Sequence, residues 1–521
     1  MINSFNTKIL FILIFCLILS LISMNYLFKI PNDGVLYLTS AKFFLENNTI
    51  INPTKSIGGV IQSFPTSQIG ITIYLTFLIF FFKKLWIFVY AIFFSIVWVI
   101  LIKKLYKLAS KNFNKNKFIV FLFPFLIFFN YDYLISSASF YNETLYYPFL
   151  IFCFLKIINS IQKQKSIFYK SNLFIFFLAI GTIFRVQHLF LLAALSIFFL
   201  LDKKNKEFFY ILILGTLNIA IILIIINFLK SFETSTNQIL SIERNSLLDF
   251  LLSLKVFFNQ FSGSFDNWVF DNTNIFFKNL KIQLSLYSNF LNLPKIVNFS
   301  LPNIVTSAKE MLYAFTSFFI ILILVIYLKL KKFDKITFFL LSYFVLNSIF
   351  LFFLSDITTR YFLLTNFCII YFLCDFFKKF KPNLNIKLFN IGFIIIFFII
   401  LSFYGSNYFL NNNKNKNTYY LTNILKEFDE NRMGYYDEND IFISKYNYHI
   451  MWINKKPSLG MREFLALNNI DHQKRYFFVG IKAEIFDPQY SMMFKKVKKV
   501  ENYSYRDISE NKPGVWRIYF K

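Results

Sequence analysis

The chain has 521 residues, 56% of them hydrophobic and 16% charged, with 77 phenylalanines and a formal net charge of +27. Soluble domains carry about a quarter charged residues, so this composition excludes an ordinary soluble globular protein. The basic excess sits in short lysine clusters between apolar runs, with no separable basic face, and that argues against nucleic acid as a partner.

Uncharged runs long enough to cross a bilayer recur at Ile9 to Phe28, Phe208 to Leu229, Ile336 to Ser355 and Leu388 to Asn413. Continuous apolar runs without alternation predict helices, because only helices or closed barrels satisfy their backbone in lipid. The expected fold is therefore a polytopic α-helical membrane protein of about eleven spans: 8–28, 85–102, 118–135, 142–160, 171–185, 186–201, 208–229, 311–328, 336–355, 361–377 and 388–409. Lys8 precedes the first run and no small-residue cleavage site follows Phe28, which predicts an uncleaved first span.

Ile69 to Phe82 is apolar but has only 14 residues before Lys83 and Lys84, against the roughly 20 a span needs. Charge parity decides how to treat it. If the segment does not cross, and is re-entrant or juxtamembrane, the loops 103–117, 156–170, 202–207, 329–335 and 378–387 share one side and carry 21 basic residues. The short opposite loops then carry two, Arg185 and Arg360. That asymmetry puts the N-terminus and the lysine loops in the cytoplasm and the C-terminus outside. Outer loops follow at 29–84, 132–143 and 231–310, within a transmembrane domain of residues 1–410.

After Asn411 the composition shifts: residues 414–521 hold 19 basic and 13 acidic side chains. Residues 411–521 are expected to form a small extracytoplasmic α/β domain, with strands in "DIFISKY", "RYFFVGI" and "GVWRIYF" and helices in "YLTNILKEF" and "MREFLAL". Cys16, Cys153, Cys368 and Cys374 all lie in apolar runs and read as buried small hydrophobes. No dinucleotide or phosphate-binding glycine loop, H-E-x-x-H motif or zinc-spaced cysteine pair is present.

Ionisable residues at a membrane boundary are functional candidates, and the expected topology gathers several outside. Asp33 follows the first span in "IPNDGVLYLTSAKFFLENN", where an amphipathic helix restarts after Pro31-Asn32. Glu143 opens the fourth span, Arg185 and His188 flank the turn between the fifth and sixth, and Arg360-Tyr361 open the tenth. Two carboxylates and two arginines on one face suit a base and an anionic leaving group. Each also has a plainer structural reading. Asp33 suits a helix cap, Glu143 the dipole of its own span, and the arginines snorkelling to headgroups. His188 suits a satisfied core position and Tyr361 an interfacial one, and the sequence leaves these pairs of readings open.

These residues resemble the GT-C superfamily of integral-membrane glycosyltransferases, whose members include protein O-mannosyltransferases, aminoarabinose transferases and lipopolysaccharide-core enzymes. The resemblance covers the first 200 or so residues best. It rests on Asp33, Tyr37 and Ala41 in a D-x-x-x-Y-x-x-x-A context, on Glu143 after the third span, and on Gly181 and Arg185. Arg360-Tyr361 and the outer C-terminal domain fit the same layout. The resemblance implies sugar transfer from a polyprenyl-phosphate donor to an envelope lipid, glycan or protein acceptor, on the outer face of a bacterial inner membrane. In that scheme Asp33 is the base, and Glu143 positions the acceptor or a divalent cation. Arg185 and Arg360 bind the donor phosphate, and Tyr37, His188 and Tyr361 position substrate. The one cofactor it admits is Mg or Mn held by Asp33 and Glu143. Gly34 stands where several relatives carry a second acid, so the first loop offers a cation a single carboxylate. Two other functions share parts of this layout: an oligosaccharide polymerase or ligase, and a transporter or flippase of lipid-linked substrates.

Overall fold

The computed structural model describes residues 7–28, 32–47, 69–113, 116–163, 172–185, 187–231, 334–352, 363–378, 441–444, 447–454, 457–460, 464, 476–481, 505–507 and 515–520. The expected spans 311–328 and 388–409, the loop 231–310 beyond Ser231 and the segment 420–428 lie outside them, as does 461–467 apart from Phe464.

The described part of the first four hundred residues is helical. Helices α1 (Thr7–Phe28), α2 (Asn32–Asn47), α3 (Ile69–Phe82) and α4 (Trp86–Asn112) are followed by α5 (Lys117–Phe128), α6 (Tyr131–Ala138), α7 (Glu143–Gln162) and α8 (Asn172–Phe184). Then come α9 (His188–Leu201), α10 (Asn205–Ser231), α11 (Lys335–Phe352) and α12 (Leu363–Phe377). Among the described residues, α4 with the α3 that precedes it, and α7, are long and apolar enough to cross a membrane.

Where the helices stop is a matter of local chemistry. Asn116 caps α5 by accepting from the Phe118 and Ile119 amides, and Asp334 caps α11 by accepting from the Thr337 amide at 2.7 Å. Asn130 does the same for α6 through Tyr133. That cap corrects the expected single span 118–135, which is two helices broken at Phe129-Asn130. At the end of α6 the Tyr141 amide closes on the Ser136 carbonyl at 3.0 Å across Phe140, which takes φ 58°. Glycine usually fills that left-handed position. Here Trp86 and Tyr90, with ring centroids 5.2 and 5.1 Å away, hold the phenyl ring in place.

Residues 69–112 are a helical hairpin. Lys83 takes φ 44° and a single 3-10 turn reverses the chain. Tyr74 of α3 thereby meets Phe93 of α4 at 5.4 Å, whereas a straight helix would separate them by about 28 Å. Phe88, Ile92, Ile96 and Ile100, one turn apart on α4, are exposed, as are Ile73, Phe77 and Phe80 on α3. An outward apolar stripe of this length suits a hydrocarbon solvent.

Helix α7 is the hub, packed against α4, α6, α8, α11 and α12. Helix α1 runs antiparallel to α4, since Lys8 and Lys103 line one groove. The other end of the bundle therefore collects the start of α2, the α3–α4 turn, the α6–α7 link and the α8–α9 break. Two burial expectations are corrected. Residues 34–41 of α2 are buried except for the partly buried Leu36. The first half of this helix, expected to be amphipathic, thus shows almost no exposed face, and exposure begins only toward Glu46. Cys16 is exposed, while Cys153, Cys368 and Cys374 are buried.

The C-terminal residues form a five-stranded mixed sheet, order β2-β1-β3-β5-β4. Strands β1 (Ile441–Ile443), β3 (Tyr476–Ile481) and β5 (Val515–Phe520) fall in the three runs read as strands. The short β2 (Ser458–Leu459) and β4 (Tyr505–Asp507) are additions. β1 pairs parallel with β2 and β3, and β5 antiparallel with β3 and β4. The segment Asn447–Asn454 between β1 and β2 packs on α2, with Tyr448 and Trp452 against the helical core.

Candidate functional site

The α7 start and the α8 end meet at one point. Glu143 is the first residue of α7, where a carboxylate complements the positive helix end, and Arg185 directly follows α8, where a guanidinium complements the negative end. The Arg185 guanidinium donates to Glu143 Oε1, and the two side chains are only 6% and 2% exposed. Two charges withdrawn this far carry a desolvation penalty that their attraction and the helix ends must offset.

The neighbours fix the geometry. Asn142 Nδ2 donates to the Phe184 carbonyl, closing an otherwise open C-terminal carbonyl of α8. The Arg185 amide returns to the Gly181 carbonyl at 3.2 Å, and the His188 amide to the Arg185 carbonyl at 3.0 Å, so the break between α8 and α9 is a tight turn. His188 is fully buried, with Nδ1 3.4 Å from Tyr146 Oη. Its ring lies against Gly181, where an added Cβ would stand 2.3 Å from His188 Nε2. Glycine is required at 181 because the imidazole occupies the space of a side chain.

The structure thus joins Glu143, Arg185 and His188 into one buried cluster. Tyr37 is buried within α2, in the same hydrophobic core. Asp33 is the second residue of α2, which begins at this same end of the bundle. Arg360 and Tyr361 lie outside the described residues. Sequence reasoning does not single out Asn142 or Tyr146. Their one signal is adjacency to Glu143, since a neutral amide or phenol at a helix start carries no charge to mark it.

The donor set does not fit a divalent cation at Glu143. Its carboxylate already meets a guanidinium, whose charge opposes a second cation, and among the described residues no three His, Cys, Asp or Glu side chains come together. The arrangement suits an anion instead. A guanidinium held by one carboxylate has donors oriented in a plane, and a phosphate can take that carboxylate's place with two parallel hydrogen bonds. No protein-family model matches the chain, and no curated protein matches it.

Proposed function

We propose that the chain is a multi-pass membrane glycosyltransferase, with about eleven spans, that transfers a sugar from a polyprenyl-phosphate carrier to an envelope acceptor on the outer face. The observation that carries this reading is the sealed Glu143–Arg185 pair at the end of the bundle opposite the lysine-rich loops. An acidic and a basic side chain held together inside apolar helices are expensive to keep, and such groups mark substrate sites in membrane proteins.

In the proposed reaction the acceptor oxygen forms a bond to the anomeric carbon as the bond from that carbon to the carrier phosphate breaks. The acceptor proton passes to Asp33, and the electron pair stays on the phosphate. Arg185 binds that phosphate and stabilises its growing charge. Glu143 orients Arg185 before the donor arrives, and Asn142 and His188 hold the turn that carries it. Arg360 is a second phosphate ligand, and Tyr37 and Tyr361 position substrate. The α2 helix, flanked by α3 and by the segment Asn447–Asn454, would bring Asp33 beside an acceptor bound under the C-terminal sheet.

The test is binding of a polyprenyl-phosphate panel to the protein in nanodiscs. Wild type binds, and Glu143→Leu/Arg185→Met, which removes both charges and so strands neither, loses about a hundredfold in affinity. Asp33→Asn retains binding and loses sugar transfer. Absence of binding by folded wild type overturns the reading. A transporter of lipid-linked substrates has one observation in its favour, the half-length α3 folded back on α4. Carrier movement across vesicles that survives Asp33→Asn would select it.

A further inference from the structure

At the opposite end of the bundle from Glu143, a groove of about 470 Å³ lies between α1 and α4. Phe11 and Ile12 of α1 and Ile96, Val99 and Ile100 of α4 line it. Ile12, Ile96 and Ile100 are 55, 48 and 47% exposed, so the groove is open along the face the apolar stripe turns outward. Lys8 and Lys103 close one end: Lys8 lies one helical turn before Ile12, and Lys103 about two turns after Ile96. The neighbouring Lys104 points elsewhere, with its ammonium 4.9 Å over the Phe152 ring of α7.

We infer that this groove binds one anionic glycerophospholipid of the cytoplasmic leaflet, its phosphate between Lys8 and Lys103 and an acyl chain along the isoleucines. Charge complementarity selects this occupant. Two lysines from different helices line the same end of an otherwise apolar trough, and the N-terminus of the 22-residue α1 adds its own partial positive charge there. A zwitterionic lipid brings a second cation to that end, while an anionic headgroup leaves the phosphate charge unopposed. A bound lipid would hold α1 against α4, and α1 is the helix that leads into Asp33. The inference rests on the membrane embedding of the chain and not on sugar transfer.

Native mass spectrometry of the full-length protein, with phosphatidylglycerol or phosphatidylcholine added to detergent, tests it. Wild type should retain phosphatidylglycerol preferentially. Lys8→Ala/Lys103→Ala should weaken that retention about thirtyfold, from about 1 kcal/mol per lysine, and leave phosphatidylcholine unchanged. Lys107→Ala/Lys111→Ala, with the same loss of charge outside the groove, should retain lipid as wild type does. Ile100→Trp fills the groove, keeps both lysines, and should also reduce retention. Equal losses in the two lysine pairs would overturn the inference in favour of diffuse attraction, and so would retention that ignores Ile100→Trp. Retention of no lipid of any class would instead overturn the membrane embedding.

Discussion

The two ends of the helical bundle each hold an ion pair that joins distant parts of the chain, in opposite environments. At one end Arg185 meets Glu143 with both side chains sealed. At the other, Lys335 at the start of α11 meets Asp202 after α9, with side chains 61% and 14% exposed, and Lys204 approaches the same carboxylate at 3.4 Å. The second pair sits in water with the lysine loops and needs no explanation beyond orientation and a modest latch between helices. The first pair has to be maintained against desolvation, and apolar side chains of similar volume would hold α7 to α8 as well or better. Its retention is therefore an argument for a ligand, and the contrast between the two ends is what locates the candidate site.

The largest expected effect breaks the contrast outright. Arg185→Ala leaves Glu143 buried without its guanidinium and should lower stability by about 3–5 kcal/mol, measured by denaturant unfolding in detergent micelles. Glu143→Leu/Arg185→Met should recover most of that loss while still weakening carrier binding about a hundredfold. A change below 1 kcal/mol for Arg185→Ala would mean that the pair behaves like a surface pair, and the argument for a ligand would go with it.

A smaller effect probes the packing that holds the pair. Gly181→Ala puts a methyl group 2.3 Å from the His188 ring, an overpacking expected to cost about 1–3 kcal/mol. The ring must shift, and with it the turn that carries Arg185. In a double-mutant cycle, His188→Ala should remove most of the Gly181→Ala penalty, because the clash exists only between these two positions. Strict additivity would show that the ring does not rest on Gly181.

The sequence and the structure agree where the signal is one-dimensional. Apolar runs predict α1, α7 and α9 to α12 closely, because a continuous apolar run needs only length to register. Helix α4 instead runs on to Asn112, ten residues past the expected end at 102, through lysines expected to lie in a loop. The break at Phe129-Asn130 is missed because no proline or glycine marks it, and a single asparagine turns from a neighbour in a run into a cap. Cys16 shows a different limit. In lipid an apolar residue is equally content inside or outside, so composition cannot sort the two faces of α1. Glu143 and Arg185 are each legible as candidates, but 42 positions separate them, and nothing in either local context says that they meet. The same separation bears on the cation that the resemblance admits at Asp33 and Glu143: neither local context shows that the Glu143 carboxylate already meets an arginine. The strands β2 and β4, two and three residues long, are too short for alternation to register.

The smallest effect belongs to the exposed pair, and its pH dependence has a definite sign. Partial burial pushes the Asp202 carboxyl up, but the hydrogen bond and charge of Lys335, with Lys204 beside it, outweigh that and hold it below the usual carboxylate range. A carboxyl lowered on folding contributes stability at pH values above its unfolded pKa, near 4, and that contribution is lost as pH falls through the lower folded value. Asp202→Asn should therefore reduce stability by less than about 1 kcal/mol at neutral pH. The difference from wild type should vanish on acidification from about pH 5 to about pH 2. Raising salt from 0.1 to about 1 M shortens the screening length to about 3 Å and should erase the same difference at neutral pH. The penalty of Arg185→Ala, set by a sealed carboxylate that ions do not reach, should survive that salt. If salt erased both alike, the Glu143 end would be open to water, and a phosphate arriving there would gain nothing from a low-dielectric surround.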